Sequence, residues 1–178
     1  MPTLNTLADF TSSDLMIPSL VKRHPAAAIQ DICSILHRQG CVYDPLCFLN
    51  AVMSRELLCS TATDQGWALP HARLPGIAHL SFAVARCAPP VNWFGSAATT
   101  VRLVFLFAVP ATEAAGYLTL VSSLAKLSQD PARLESLHRA PDAQGMFEVL
   151  KQIPLRTTRS NSGMEAKRGS SNPSFSSK

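Results

Sequence analysis

Charge is scarce in this chain. Asp, Glu, Lys and Arg together make 16% of its 178 residues, against 47% apolar. That balance excludes an intrinsically disordered body and supplies a core for one domain of ordinary size. Long apolar runs are missing too. The most apolar stretch, Leu103 to Pro110, has only strand length, far short of the about eighteen residues of a membrane span. The amino terminus, Met1-Pro2-Thr3-Leu4-Asn5, lacks the basic start and apolar stretch of a secretory signal. The five cysteines (Cys33, Cys41, Cys47, Cys59, Cys87) include no Cys-x-x-Cys pair, and each lies in or beside an apolar pattern. Free, buried thiols are expected, with no disulfide framework. There is no internal repeat. The expectation is a soluble, reduced, cytoplasmic protein.

The net charge of +4 is also missing from the part of the chain that would fold. Six basic residues (Lys151, Arg156, Arg159, Lys167, Arg168, Lys178) and one acid, Glu165, lie from Lys151 onward, leaving ten basic and eleven acidic residues for positions 1–150. A near-neutral domain is a poor nucleic-acid binder, so no nucleic-acid partner is expected. After Pro154 the composition turns to Ser, Thr, Asn, Gly, Arg and Lys. This predicts a domain over 1–154 and a disordered, basic, Ser-rich tail over 155–178. The tail reads as a solvated extension, with contact to acidic partners or lipids as the alternative.

What is present reads as helices, then strands, then helices. Residues 1–23 read as a loose lead-in. His24 to Gln39 has apolar positions Ile29, Ile32, Cys33 and Leu36 at helical spacing, with Gly40 as a stop. Asp44-Pro45 opens a second helix as N-cap and first-turn proline, with Leu46, Leu49, Val52 and Met53 as its expected buried face. That helix should end near Arg55-Glu56-Leu57, a favourable place for a cation. A Ser/Thr/Asp/Gly loop over 59–66 leads to a short strand, Trp67 to Leu69. A second strand is expected over Ile77 to Cys87, broken by Pro89-Pro90, with Val91 to Phe94 as a short strand or edge. Val101 to Val109 reads as a central strand buried on both faces. Thr112 would cap a helix to Gln129, striped by Tyr117, Leu120, Leu124 and Leu127. Asp130-Pro131 and Asp142 start two more helices. An α/β sandwich follows, a small mixed sheet covered by helices on both faces.

The stretch that carries chemistry runs from Arg55-Glu56 through Ser60-Thr61 to Gly66-Trp67-Ala68-Leu69-Pro70-His71-Ala72-Arg73. It sets a histidine after a proline at the end of a short apolar strand. Pro70 fixes its own φ and restricts Leu69 to extended geometry, so the backbone at His71 is tightly set. This segment resembles the active site of the fructose/mannitol-type enzyme IIA domains of the bacterial phosphotransferase system, a family that includes the nitrogen-regulatory enzyme IIA proteins. The resemblance covers residues 4–152 and implies the mannitol-type enzyme IIA fold. By resemblance His71 would accept a phosphoryl group from an HPr-type histidine phosphocarrier. Arg55 would clamp the phosphoryl oxygens, and Ser60 and Thr61 would line the site. An imidazole suits a carrier because it titrates near neutrality and forms a labile phosphoramidate. A guanidinium suits the clamp because its fork matches phosphate oxygens. A helix-terminal charge facing solvent is the plainer alternative for Arg55, and loop capping is the alternative for Ser60 and Thr61.

The chain departs from the family in three places. Ala62-Thr63-Asp64-Gln65 replaces a glycine-rich turn, with Gly66 kept and a negative charge added. Ser96-Ala97-Ala98 replaces an acidic position before the central strand. Tyr117-Leu118 stands where the family has a second active-site histidine before a leucine. Two readings stand for Tyr117, a substitute hydrogen-bond donor or a core aromatic. Arg73 reads as a solvated charge at the rim, and Glu56 as a local pairing partner. His79 reads as a structural residue beginning a strand, and His24, His37 and His138 as exposed. A zinc site drawn from His71, His79, Cys59 and Cys87 lacks ligand spacing, so no metal and no other cofactor are expected. The sequence carries no enzyme IIB or IIC segment, which favours a regulatory, nitrogen-type member over a sugar-transport component delivering to a IIB. The alternative from another class is a regulatory binding module that keeps the fold without being phosphorylated.

Overall fold

The computed structural model describes residues 6–94 and 100–155. The tail beyond Leu155 and the Ser96-Ala97-Ala98 replacement therefore lie outside the described residues. Two 3-10 turns, Leu7–Phe10 and Ser13–Leu15, lead into strand β1 (Met16–Leu20). There follow α1 (Pro25–Arg38), α2 (Pro45–Leu58), β2 (Trp67–Ala68), β3 (His71–Leu74), β4 (Ser81–Asn92), β5 (Thr100–Pro110), α3 (Ala114–Leu127), α4 (Pro131–Arg139) and α5 (Ala143–Lys151). The five strands form one mixed sheet in the order β1-β4-β5-β2, with β3 also on β5. The helices pack around it, as the pattern of elements predicts.

β5 is the spine. Leu103 to Val109 are all buried to within 1%, which a strand achieves only when both faces and both edges are covered. β4 runs antiparallel along one edge of β5, with Phe82 opposite Phe107 and Ala85 opposite Val104. Along the other edge β2 and β3 lie parallel to β5, Trp67 beside Leu103 and His71 beside Phe107, at one common offset. They are one strand interrupted at Leu69-Pro70. Pro70 fits there because its missing N–H is not needed, while its carbonyl accepts from Phe107 N–H at 3.0 Å.

Proline and aspartate place the helix starts as expected. Asp44 Oδ1 accepts from the N–H groups of Leu46 and Cys47, Asp130 from Arg133, and Asp142 from Gly145. The start of α3 differs: Glu113, not Thr112, is its N-cap.

Several other expectations need correction. Residues 1–23 are not a loose lead-in from Thr6 on: Leu7, Leu15, Met16 and Leu20 are buried, and β1 pairs in parallel with β4. Leu7 N–H also donates to Ile153 C=O at 3.0 Å. These contacts are all distant in sequence, and a five-residue strand containing Pro18 has no alternation of its own. Pro89-Pro90 does not end β4. The ladder shifts register between Arg86 and Val91 and resumes at Val91 opposite Val101, so the prolines sit in an exposed irregularity where no ladder donor is required. β4 begins at Ser81 rather than Ile77, and His79 is exposed ahead of it. On α2 the buried residues are Phe48, Val52 and Glu56, whereas Leu46 is 67% exposed. No charge falls between Asp44 and Arg55, so the hydrophobic pattern points to no single face. His24 and His37 are exposed as expected, but His138 is half-buried.

The thiols divide. Cys33, Cys41 and Cys87 are buried, while Cys47 and Cys59 are exposed against expectation. Burial pushes the Cys33 thiol up to about 12 and the Cys87 thiol up to about 11, so both are inert at neutral pH.

Candidate active site

His71 opens β3, and its pairing with Phe107 puts both side chains on one face of the sheet. Its Nδ1 lies 3.1 Å from the carbonyl oxygen of Leu69. A carbonyl has no proton to give, so this bond assigns the hydrogen to Nδ1. In the neutral ring Nε2 then keeps the lone pair. The Leu69-Pro70 step brings that carbonyl within hydrogen-bond reach of the ring nitrogen.

Tyr117 comes to the same place from one turn into α3. Its ring lies 5.0 Å from the His71 ring at 34°, and 5.4 Å from Phe107 edge-on. Phe107 in turn packs on Phe82 at 5.5 Å, so the histidine rests on an aromatic stack anchored in the core. Burial raises the Tyr117 phenol above its ordinary value, Arg55 opposes the rise and Glu56 adds to it. The phenol therefore stays protonated at neutral pH and available as a donor. Arg55 therefore lies within electrostatic reach of the Tyr117 phenol.

Arg55 lies in the last turn of α2, half-buried, and its Nη1 donates to the Cys59 carbonyl at 2.7 Å. That bond caps the helix end, where a cation is favoured. The rest of the guanidinium fork has no further hydrogen bond or ion pair among the described residues. Leu57 and Leu58 beside it are 66% and 86% exposed, and Leu118 beside Tyr117 is 63% exposed.

The loop between α2 and β2 is tied down from within. Thr61 donates its N–H to Glu56 Oε1 at 2.7 Å, and its hydroxyl lies 3.0 and 2.9 Å from the two carboxylate oxygens. The same hydroxyl accepts from Leu69 N–H at 3.0 Å. Ser60 Oγ accepts from Ala62 N–H at 3.2 Å. Gly66 takes φ +77° to close the turn, and its carbonyl accepts from Arg102 and Leu103 N–H at 2.7 and 3.3 Å. Asp64 and Arg73 are exposed.

Glu56 and Trp93 are the participants that sequence reasoning undervalues. Glu56 is buried and accepts from the Trp93 indole N–H at 2.7 Å. Its place in an Arg-Glu pair hinted at a partner, but nothing along the chain links it to a tryptophan beyond the two prolines. No group of three or more His, Cys, Asp or Glu could hold a metal ion among the described residues. No described helix is long and apolar enough to cross a membrane.

A histidine with one free ring nitrogen and a protonated phenol thus lie against each other at one edge of a small mixed sheet, with a guanidinium fork at the end of the neighbouring helix. The family model described as "Phosphoenolpyruvate-dependent sugar phosphotransferase system, EIIA 2" matches residues 11–153, and the chain belongs to that family.

The multiphosphoryl transfer protein of Shigella flexneri is 32% identical over 124 residues, which is 70% of this chain and 15% of that protein. The chain thus spans only a small part of that relative's length. The nitrogen regulatory protein of Bradyrhizobium diazoefficiens is 26% identical over 148 residues, 83% of this chain and 96% of that one. Among solved structures, the nitrogen regulatory protein IIA-Ntr of Neisseria meningitidis superposes with a TM-score of 0.69 at 22% identity, covering 81% of this chain and 98% of that one. The mannitol IIA of Escherichia coli gives 0.67 at 19% identity, covering 78% and 97%. The fold is that of the mannitol-type and nitrogen-regulatory enzyme IIA domains.

Proposed function

We propose that this protein is a phosphohistidine carrier that accepts a phosphoryl group on Nε2 of His71 from an HPr-type histidine phosphocarrier and signals with it or passes it on. The observation that carries this reading is the Nδ1–H bond to Leu69, which leaves Nε2 as the nucleophile. In the transfer the Nε2 lone pair forms the new P–N bond as the donor's P–N bond breaks, and the donor nitrogen leaves with the bonding pair. The His71 ring keeps its proton on Nδ1 and becomes cationic, with the Leu69 carbonyl accepting from it more strongly. Arg55 supplies the fixed positive charge for the equatorial oxygens, and the Tyr117 hydroxyl donates where a second imidazole stands in relatives. The Ser60 hydroxyl keeps its proton for an incoming oxygen, whereas Thr61 serves the site from behind. No cofactor is required for this chemistry.

The exposed leucines beside Arg55 and Tyr117 suit a protein donor and a protein acceptor. A complex of mannitol enzyme IIA with phosphorylated enzyme IIB from Escherichia coli shares the fold, with a TM-score of 0.68. A IIB-type protein or a regulatory target is therefore the proposed recipient, in the cytoplasm where such donors act. The nitrogen-regulatory relatives favour the regulatory branch over sugar transport.

The second reading, a contact regulator that is never phosphorylated, is motivated by Tyr117 in place of a cationic imidazole. Intact mass after incubation with phosphoenolpyruvate, enzyme I and HPr separates the two. One acid-labile phosphoryl group on the wild type and none on His71→Ala is the expected result. An unmodified wild type beside a positive control would leave the contact regulator.

A further inference from the structure

Glu56 follows the clamp Arg55 directly, yet it turns inward and is 1% exposed. Among the described residues every hydrogen-bond partner of its carboxylate is a donor: the Thr61 N–H, the Thr61 hydroxyl and the Trp93 indole N–H. An acceptor-only carboxylate is the side chain that satisfies such a ring. The Thr61 hydroxyl has one proton to give. Leu69 N–H already donates to its oxygen at 3.0 Å, so that proton goes to Glu56. Leu69 is thereby held at its N–H, and Pro70 restricts its torsion. Its carbonyl, fixed in turn, accepts from Nδ1 of His71 at 3.1 Å. The series Glu56, Thr61, Leu69, His71 runs from the buried carboxylate to the imidazole; the N–H and C=O of Leu69 belong to different peptide groups, so the series acts by fixing the position of Leu69 and not by relayed polarisation.

We infer that Glu56 is a positioning residue for His71: through Thr61 and Leu69 it holds the ring with Nδ1 protonated and Nε2 free. The purpose of this device rests on the phosphoryl-acceptor reading of His71, but its geometry does not. Glu56 reaches neither the imidazole nor the phosphoryl group. It sets the carbonyl that sets the tautomer.

The test is nitrogen NMR of the histidine rings in the full, folded chain at pH 8, with the His71 signals assigned by their loss in His71→Gln. Wild type and Thr61→Ser should show the Nδ1–H tautomer almost alone. Thr61→Val removes the link, and Glu56→Gln turns an amide donor toward the Thr61 hydroxyl. Either variant, compared below its own melting temperature, should shift His71 to a mixture containing the Nε2–H form. The rate of phosphorylation by HPr should fall about tenfold in each, since small displacements of a reacting group cost that much or more. A wild type that shows the Nε2–H form overturns the inference without any variant. So does a folded Thr61→Val or Glu56→Gln that keeps Nδ1–H, because a merely structural Glu56 would lower stability and leave the tautomer alone. A tautomer that moves as expected in a protein that HPr never phosphorylates would refute the acceptor role while the positioning stands.

Discussion

The two tryptophans provide a built-in control for the strength of the buried hydrogen bond beneath the site. Trp67 and Trp93 are each 3% exposed, so Trp→Phe removes similar apolar area at both positions. Their indole N–H groups differ. That of Trp93 donates to the Glu56 carboxylate at 2.7 Å, whereas that of Trp67 is buried with no hydrogen-bond partner among the described residues. Losing a hydrogen bond to a charged acceptor costs about 1.5–3 kcal/mol, while deleting an unpaired buried donor relieves about 1–3 kcal/mol. The volume lost is alike in the two variants and cancels in the comparison. Trp93→Phe should therefore be less stable than Trp67→Phe by at least about 2 kcal/mol. For a domain of this size that separation is roughly 4–8 °C in melting temperature. Urea unfolding of both variants, with m unchanged from wild type, gives the difference directly. Equal destabilisation, or a worse result for Trp67→Phe, would refute the claim that Trp93 contributes through its N–H and not through its bulk.

Three further expectations follow from the same geometry. Gly66 and Gly40 both have positive φ, +77° and +73°, but an added Cβ meets the Thr100 carbonyl oxygen at 3.1 Å only at Gly66. Chemical denaturation of the two Ala variants should show about 1 kcal/mol of strain at Gly40 and visibly more at Gly66; equal losses would count against a tight turn beside β5. Because the Tyr117 phenol is raised by burial, the folded state holds its proton more firmly than the unfolded chain. The stability this contributes is present below pH 10 and is lost as pH rises through the folded value. Tyr117→Phe should then gain relative to wild type in unfolding experiments above pH 10, and a constant difference across that range would contradict the shift. Arg55→Lys keeps the charge and loses the fork. Phosphorylation by HPr should slow at least about tenfold, on the scale of a misplaced reacting group, while the melting temperature moves little because the lost cap is half-exposed; an unchanged rate would remove Arg55 from the clamp role.

Local chemistry made much of this protein legible along the chain. Asp44-Pro45 and Asp130-Pro131 announce their helices because cap and first-turn preferences act within a few residues. Val101 to Val109 declares a two-sided central strand by its unbroken apolar run. The Leu69-Pro70-His71 step sets the histidine through constraints on adjacent torsions. Contacts between distant segments were another matter. β1 exists because Met16 and Ile17 find Val84 and Ala85, and no window of sequence around Pro18 contains that information. β4 survives Pro89-Pro90 because β5 offers a ladder that tolerates the irregularity. The apolar α2 has no preferred face until α1 and the sheet cover one, which turns Leu46 out and Glu56 in. The stacking of Tyr117 on His71, and the donors that gather on Glu56 from Thr61 and Trp93, depend on burial. A carboxylate or a phenol takes on its role only when water is excluded and partners from separate segments replace it.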